Sequence, residues 1–131
     1  QKTTDIPGSF DAMNVLLTQR PEVKCWLAAG MNDSATLGAV RALEGRSFSD
    51  KTAIAIGING TDCIDEFKKA KPTPFYGSIL MEANLHGHDA AASLYKWIAD
   101  GIEPPRARYT GGILITRETF EKVLKEHGMW R

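Results

Sequence analysis

The side chains with the clearest chemistry are two asparagines and an aspartate that follow two apolar segments. Asn32 comes after the apolar run at residues 26–29 of a strand predicted at residues 24–29, and Asn59 and Asp62 come after an apolar run at residues 53–58. An amide group donates and accepts hydrogen bonds, an ionised carboxylate only accepts them, and together they match the hydroxyl groups of a polyhydroxylated ligand. Met31 adds an unbranched, polarizable side chain that suits the C–H face of a pyranose ring. This set of residues indicates a sugar site.

Helix capping is the alternative explanation of the same polar residues. Asp33, Ser34, Thr61 and Asp62 all stand where the N-terminal caps of helices are expected. Judged from residue types alone, capping and sugar binding explain this polar set equally well.

The elements that must position these groups follow from the hydrophobic pattern. Continuous apolar runs of strand length predict strands that are covered on both faces, as in a parallel sheet. A helical pattern follows the first run at residues 34–44, with Gly45 just past its end. Since the carboxyl ends of neighbouring parallel strands meet at the edge where open α/β sheets bind ligands, Asn32 and Asn59 are expected to lie side by side.

The rest of the chain continues the alternation of strands and helices. Helical patterns lie at residues 6–17, 64–67, 85–99 and 120–127, and further strands are expected at residues 75–80 and 112–116. Alternation of this kind predicts right-handed parallel βαβ units. The predicted fold class is therefore α/β, a three-layer parallel sheet with helices on both faces.

Composition restricts the class of protein. The chain has 131 residues, of which 43% are hydrophobic, enough for one ordinary core. Its 16 Lys and Arg residues balance its 16 Asp and Glu residues, and no basic stripe interleaved with aromatic residues is present, which argues against nucleic acid as a partner. No apolar stretch approaches the roughly 20 residues that span a bilayer.

Other groups with reactive potential carry weaker patterns. Cys25 and Cys63 are expected too far apart on neighbouring strands to form a disulfide, so two free thiols are predicted. Cys63 stands near a helix N-terminus and could be nucleophilic, but no His is adjacent to act as its base.

His86 and His88, near Asp89, point apart at the start of a helix, which argues against a metal site. No catalytic pair or nucleotide motif is found, so neither enzymatic activity nor a cofactor is expected.

Several longer motifs resemble those of a known family. The sequence Gly-Met-Asn-Asp-Ser-Ala-Thr-Leu-Gly-Ala-Val-Arg-Ala-Leu at residues 30–43 is similar to the Asn-Asp-helix signature of periplasmic sugar-binding proteins and of the ligand domains of lactose-repressor-type regulators. Segments at residues 2–8, 57–60, 75–78, 103–105 and 114–117 look like the carboxyl-terminal half of an arabinose-binding member of that family. By this resemblance the chain is identified as part of a type I periplasmic sugar-binding protein.

The resemblance implies a function and a set of contacts. Met31, Asn32, Asn59 and Asp62 would contact the sugar, which would be L-arabinose or a similar aldopyranose. In the full-length protein this lobe would deliver the sugar in the periplasm to the permease of an ABC-type transporter, without catalysis. The alternative is the effector-binding domain of a lactose-repressor-type, sugar-responsive transcription regulator.

The resemblance also implies that the chain is divided between two lobes. Residues 1–82 and 111–131 would belong to the carboxyl-terminal sugar-binding lobe, and residues 83–110 would form a crossover segment that belongs with an amino-terminal lobe absent from this sequence. The apolar face of the helix at residues 85–99 would then need another surface. A homodimer, with this segment possibly exchanged between two copies, is expected.

Overall fold

The computed structural model describes residues 3–130, in which one mixed sheet is packed against helices. The strands are β1 Trp26–Ala29, β2 Ala53–Asn59, β3 Phe75–Leu80 and β4 Ile113–Thr116. The helices are α1 Ile6–Gln19, α2 Asp33–Gly45, α3 Ile64–Phe67, α4 Ala83–Asp100 and α5 Phe120–Glu126. The chain forms two compact units: the sheet unit, which runs to Leu80 and resumes at Ile113, and the crossover unit, Met81–Gly112.

The strands lie in the order β1-β2-β3-β4, and the first three are parallel, as predicted. The α/β fold class is confirmed. The fourth strand differs from the prediction, because β4 pairs antiparallel with β3. The reason is the register: β3 leaves the sheet at Leu80, and β4 enters it at Ile113, which is paired with Leu80. A strand that begins where its neighbour ends must run in the opposite direction.

The core lies on one face of the sheet. Every helix of the sheet unit contributes side chains to clusters with strand residues Ala53, Ala55, Phe75, Leu80 and Ile115. The clusters receive Met13 and Leu17 from α1, Val40 and Leu43 from α2, Phe67 from α3, and Phe120 and Leu124 from α5. Burial of these apolar side chains is the main stabilising contribution to this unit.

The opposite face of the sheet is not covered by any helix of the sheet unit in the described residues, which differs from the expectation that helices cover both faces. Leu27 is 76% exposed and Ile54 is 43% exposed, and Ile58 and Leu114 are exposed as well. Right-handed crossovers that step in one direction, from β1 to β2 to β3, place their helices on the same side. A continuous apolar run indicates that both faces of a strand are apolar, but it does not indicate which element covers each face.

A buried carboxylate ties α2 and α3 together. Glu66 accepts hydrogen bonds from Thr73 Oγ1 at 2.6 Å and Lys69 Nζ at 2.9 Å, and it pairs with Arg41. Burial alone would raise the pKa of Glu66, but the hydrogen bonds of these three residues outweigh it and lower the pKa below its usual value. The ionised form is therefore the one that the fold stabilises.

We expect Glu66→Gln to lower the free energy of unfolding by about 1–3 kcal/mol at pH 7, since it weakens charge-assisted hydrogen bonds in a buried site. Because the folded-state pKa is lowered, this stabilisation is fully present above the unfolded pKa of about 4.5 and is lost as the pH falls through the folded pKa. Urea unfolding at several pH values, with the exposed Glu121→Gln as control, measures this. A difference between wild type and variant that stays constant down to pH 2 contradicts it.

Among residues 3–130, no helix combines the length and the apolar character that crossing a membrane requires.

Candidate functional site

The loops after β1 and β2 meet at one edge of the sheet, which we call the rim (residues 30–34 and 59–62). The register pairs Ala29 with Ile56, so Asn32 and Asn59 stand at equivalent positions beyond these paired residues. The loops are also joined directly, because the Gly60 N–H donates to Asp33 Oδ2 at 2.9 Å. The structure therefore brings together the two segments from which the sequence predicted a site.

Asn32 is the N-cap of α2. Its Oδ1 accepts a hydrogen bond from the Ala35 N–H at 2.6 Å, and its Nδ2 donates to the Thr4 carbonyl at 3.1 Å. The capping explanation therefore applies to Asn32, and the expectation that Asp33 or Ser34 is the cap was wrong: Asn32 has extended backbone angles, and Asp33 is the first helical residue. An amide nitrogen carries two hydrogens, so Asn32 retains one donor that can reach a hydroxyl group.

Asn59 has an unusual backbone conformation. Its φ angle is +120°, and Gly60, which follows it, has φ of +82°. Positive φ is uncommon outside glycine, although asparagine is several-fold enriched there, and such residues cluster at functional sites. The Asn59 side chain is exposed, and within the described part of the chain it forms no hydrogen bond.

Asp62 and Met31 also have exposed side chains at the rim, and Met31 is 69% exposed. Capping does not explain Asp62, since the N-cap of α3 is Cys63 and no side chain caps that helix. In residues 3–130 no hydrogen bond of the Asp62 carboxylate is recorded. Its acceptor oxygens are thus available to a ligand.

Asp33 has a role at the rim that its place in the sequence, which suggested only a helix cap, does not reveal. It is fully buried, and its carboxylate accepts hydrogen bonds from Ser78 Oγ and the Gly60 N–H. Burial is the largest influence and raises the pKa of Asp33, although these hydrogen bonds oppose it. Two signals could have indicated it: Gly57 and Ser78 are small residues inside otherwise apolar strands. A Cβ at Gly57 would lie 2.4 Å from Asp33 Oδ1, so only glycine leaves room for this carboxylate.

The two cysteines are free, as predicted. Cys63 is fully buried, and burial together with the neighbouring Asp33 carboxylate raises the pKa of its thiol. This argues against the alternative in which a lowered pKa makes Cys63 nucleophilic.

The group of His86, His88 and Asp89 was considered as a possible metal site. Asp89 pairs with Arg108 at 2.8 Å. In the residues that the structure describes, no cluster of three or more His, Cys, Asp or Glu side chains is suited to hold a metal.

A family model supports the resemblance seen in the motifs. The model described as periplasmic binding proteins and sugar binding domain of LacI family matches residues 1–122. The L-arabinose-binding periplasmic protein of Escherichia coli (strain K12) is 49% identical over 129 residues, which are 98% of this chain. An ABC transporter L-arabinose-binding periplasmic protein of Azospirillum brasilense is 41% identical over 130 residues. The chain spans 39% of the length of each of these curated relatives.

Solved structures share the fold at lower sequence identity. An ABC transporter solute binding protein from Agrobacterium vitis with bound allitol has a TM-score of 0.77 and 17% identity, over 96% of this chain and 43% of that one. The periplasmic binding protein component of the arabinose ABC transporter from Shewanella sp. ANA-3, bound to L-arabinofuranose, has a TM-score of 0.73 and 18% identity, over 94% of this chain and 40% of that one. At such identities the likeness establishes the architecture alone.

Proposed function

Because the chain belongs to the family of periplasmic binding proteins and LacI-type sugar-binding domains, we propose that it forms part of a sugar-binding lobe. The ligand in this proposal is L-arabinose or a similar aldopyranose, delivered to an ABC-type transporter in the periplasm. The observation that carries it is that Asn32, three residues past the end of β1, and Asn59, the last residue of β2, each follow the register-paired residues Ala29 and Ile56 by three positions at one edge of the sheet. Two relatives named as L-arabinose-binding periplasmic proteins support the choice of sugar and compartment.

The rim offers hydrogen-bonding groups of complementary kinds. Asn59 supplies both donors and an acceptor, Asp62 supplies acceptors, and Asn32 supplies the amide hydrogen that its capping role does not use. Hydroxyl groups of a sugar give and take hydrogen bonds, so such a mixture suits them. Met31 is placed to lie against the apolar side of the ring.

Binding without catalysis is part of the proposal. A general acid and base must reach the reacting atoms with pKa values near the working pH. The rim offers one exposed carboxylate, Asp62, while the other, Asp33, is fully buried and accepts hydrogen bonds from Gly60 and Ser78. The curated relatives are named as binding proteins, which supports the same reading.

The decisive test is the affinity of the full-length protein for L-arabinose after changes at the two asparagines. Asn59→Gly removes the side chain but keeps a residue that tolerates positive φ, and Asn32→Asp keeps the helix cap but removes the amide donors. Each should weaken binding by about 1–3 kcal/mol, because sugar hydroxyls lose a partner in an enclosed site. Titration calorimetry measures both.

Asn14→Ala, in the middle of α1, is the matched control, since it also removes one amide and should leave the affinity unchanged. Unaltered arabinose affinity for both Asn59→Gly and Asn32→Asp would exclude this site.

The division of the chain between two lobes also belongs to the proposal. Residues 1–82 and 111–131 are assigned to the sugar-binding lobe, and residues 83–110 to a crossover segment that joins another lobe. Gln1, Lys2 and Arg131 lie outside the described residues. The separation of the crossover unit, Met81–Gly112, from the sheet unit supports the assignment.

A homodimer through α4 stays a prediction. None of the residues of α4 is buried, and Leu85, Leu94, Tyr95, Trp97 and Ile98 are exposed. Apolar patches of this kind often mark an interaction surface. Light scattering on residues 1–131 should then report twice the monomer mass at high concentration, and Trp97→Glu should return it to the monomer mass. A monomer at every concentration rules the dimer out.

A further inference from the structure

We propose that Asp33 is a positioning residue, whose buried carboxylate fixes the loop after β2 against the start of α2 and so sets the distance between Asn32 and Asn59. This inference rests on the proposed sugar-binding function, because its consequence is measured as sugar affinity. Asp33 itself is fully buried and does not contact the ligand space of the rim.

The hydrogen bonds of Asp33 join three parts of the sheet unit. Asp33 is the first residue of α2 and follows Asn32 directly. Its Oδ2 accepts from the Gly60 N–H at 2.9 Å, and its Oδ1 accepts from the hydroxyl of Ser78 on β3. Since Gly60 directly follows Asn59, one carboxylate links the backbone positions next to both asparagines.

Glycines allow a close approach of the backbone near this hydrogen bond. A Cβ at Gly57 would lie 2.4 Å from Asp33 Oδ1, and a Cβ at Gly60 would lie 2.7 Å from Leu80 Cα. The backbone at Gly57 therefore lies close to the carboxylate, and the backbone at Gly60 lies close to β3. This close packing restrains both partners of the Asp33–Gly60 hydrogen bond.

The backbone conformation of Asn59 needs a restraint, which this hydrogen bond supplies. A φ of +120° at a residue with a side chain persists only where the surrounding structure holds it. The Gly60 N–H is the next backbone donor along the chain, and its recorded acceptor is Asp33. Without that acceptor the loop is free to relax, and Asn59 turns away from Asn32.

An aspartate suits this position because it offers two acceptor oxygens to separate donors. It also stands in the first turn of α2, where the helix dipole favours a negative charge. Asparagine would still accept from the Gly60 N–H through its oxygen, and its amide nitrogen can donate to Ser78 Oγ. Alanine removes every one of these links.

The test uses the full-length protein with L-arabinose as the probe. Calorimetry gives the affinity of Asp33→Ala, Asp33→Asn and the control Glu66→Ala, which removes another buried carboxylate, on α3. Amide hydrogen exchange gives the protection of Gly60 against that of Thr61, whose amide has no recorded hydrogen bond in the described chain. We expect Asp33→Ala to bind L-arabinose roughly tenfold to a hundredfold more weakly, the range seen when a residue that orients a metal-binding side chain is removed. We also expect the Gly60 amide of this variant to lose its protection from exchange. Asp33→Asn and Glu66→Ala should bind within about threefold of wild type.

Three outcomes would overturn the inference. The first is a folded Asp33→Ala protein that loses no more affinity than Glu66→Ala. The second is a wild-type Gly60 amide that exchanges as fast as that of Thr61, a measurement that needs no variant to fold. The third is an Asp33→Asn protein that binds L-arabinose as weakly as Asp33→Ala does. If the wild type does not bind arabinose, the proposed function fails, and the exchange of Gly60 in wild type and Asp33→Ala still decides the positioning role.

Discussion

Gly60→Ala should lower the free energy of unfolding by about 2–5 kcal/mol, because it adds backbone strain to a steric overlap. The φ angle of Gly60 is +82°, a conformation that residues with a Cβ rarely adopt. The added Cβ would lie 2.7 Å from Leu80 Cα and 2.8 Å from Leu80 Cδ1. A backbone atom of a central strand cannot move aside cheaply, so the loop or β3 must shift. Urea unfolding measures the loss.

Gly128→Ala is the matched control for this prediction. Gly128 has a similar φ of +66°, but nothing lies within 4 Å of its added Cβ. Its replacement should cost about 1–2 kcal/mol, the strain alone. Equal losses for the two variants would mean that the contact of Gly60 with Leu80 is unimportant.

Phe67→Ala should cost about 3–5 kcal/mol of unfolding free energy, the range for removing a fully buried aromatic side chain. Phe67 is 2% exposed, and its ring centroid lies 5.5 Å from that of Phe75 and 5.3 Å from that of Phe120. It therefore joins α3 to β3 and α5 through one aromatic cluster. Alanine would leave a cavity and remove the ring contacts that join these three elements.

Phe10→Ala is the comparison for Phe67→Ala, because Phe10 is 37% exposed on α1. A partly exposed ring loses less on truncation, so this variant should cost about 1–2 kcal/mol. Denaturant unfolding of both proteins gives the two values, and a Phe67→Ala loss at or below that of Phe10→Ala contradicts the central place of Phe67 in the core.

The sequence predicted the elements well where hydrophobic patterns are local. β3 was expected at residues 75–80 and is found at Phe75–Leu80, and the helix predicted at residues 34–44 is α2, Asp33–Gly45. The patterns of these segments depend on residues within a few positions of each other. β1 was predicted from residue 24 and begins at Trp26, because Lys24 and Cys25 do not pair with β2.

What the sequence could not show depends on contacts between distant residues. Asp33 is bound by Gly60, 27 positions away, and by Ser78, 45 positions away, so no local pattern identifies its role. The choice of Asn32 over Asp33 as the cap depends on the backbone angle at which α2 begins. The roles of Met31, Asn59 and Asp62 in sugar binding were implied by family resemblance, and they stay predictions.

The discontinuity of the sheet unit has a consequence for its synthesis on the ribosome. Ile115, Phe120 and Leu124 are buried in the same cluster as Val40 and Phe75, yet they are translated only after the whole crossover unit. A nascent chain that has just completed β3 therefore displays an apolar surface that β4 and α5 will later cover. This interval favours aggregation and chaperone binding, and it makes the assembly of the sheet unit a late event in translation.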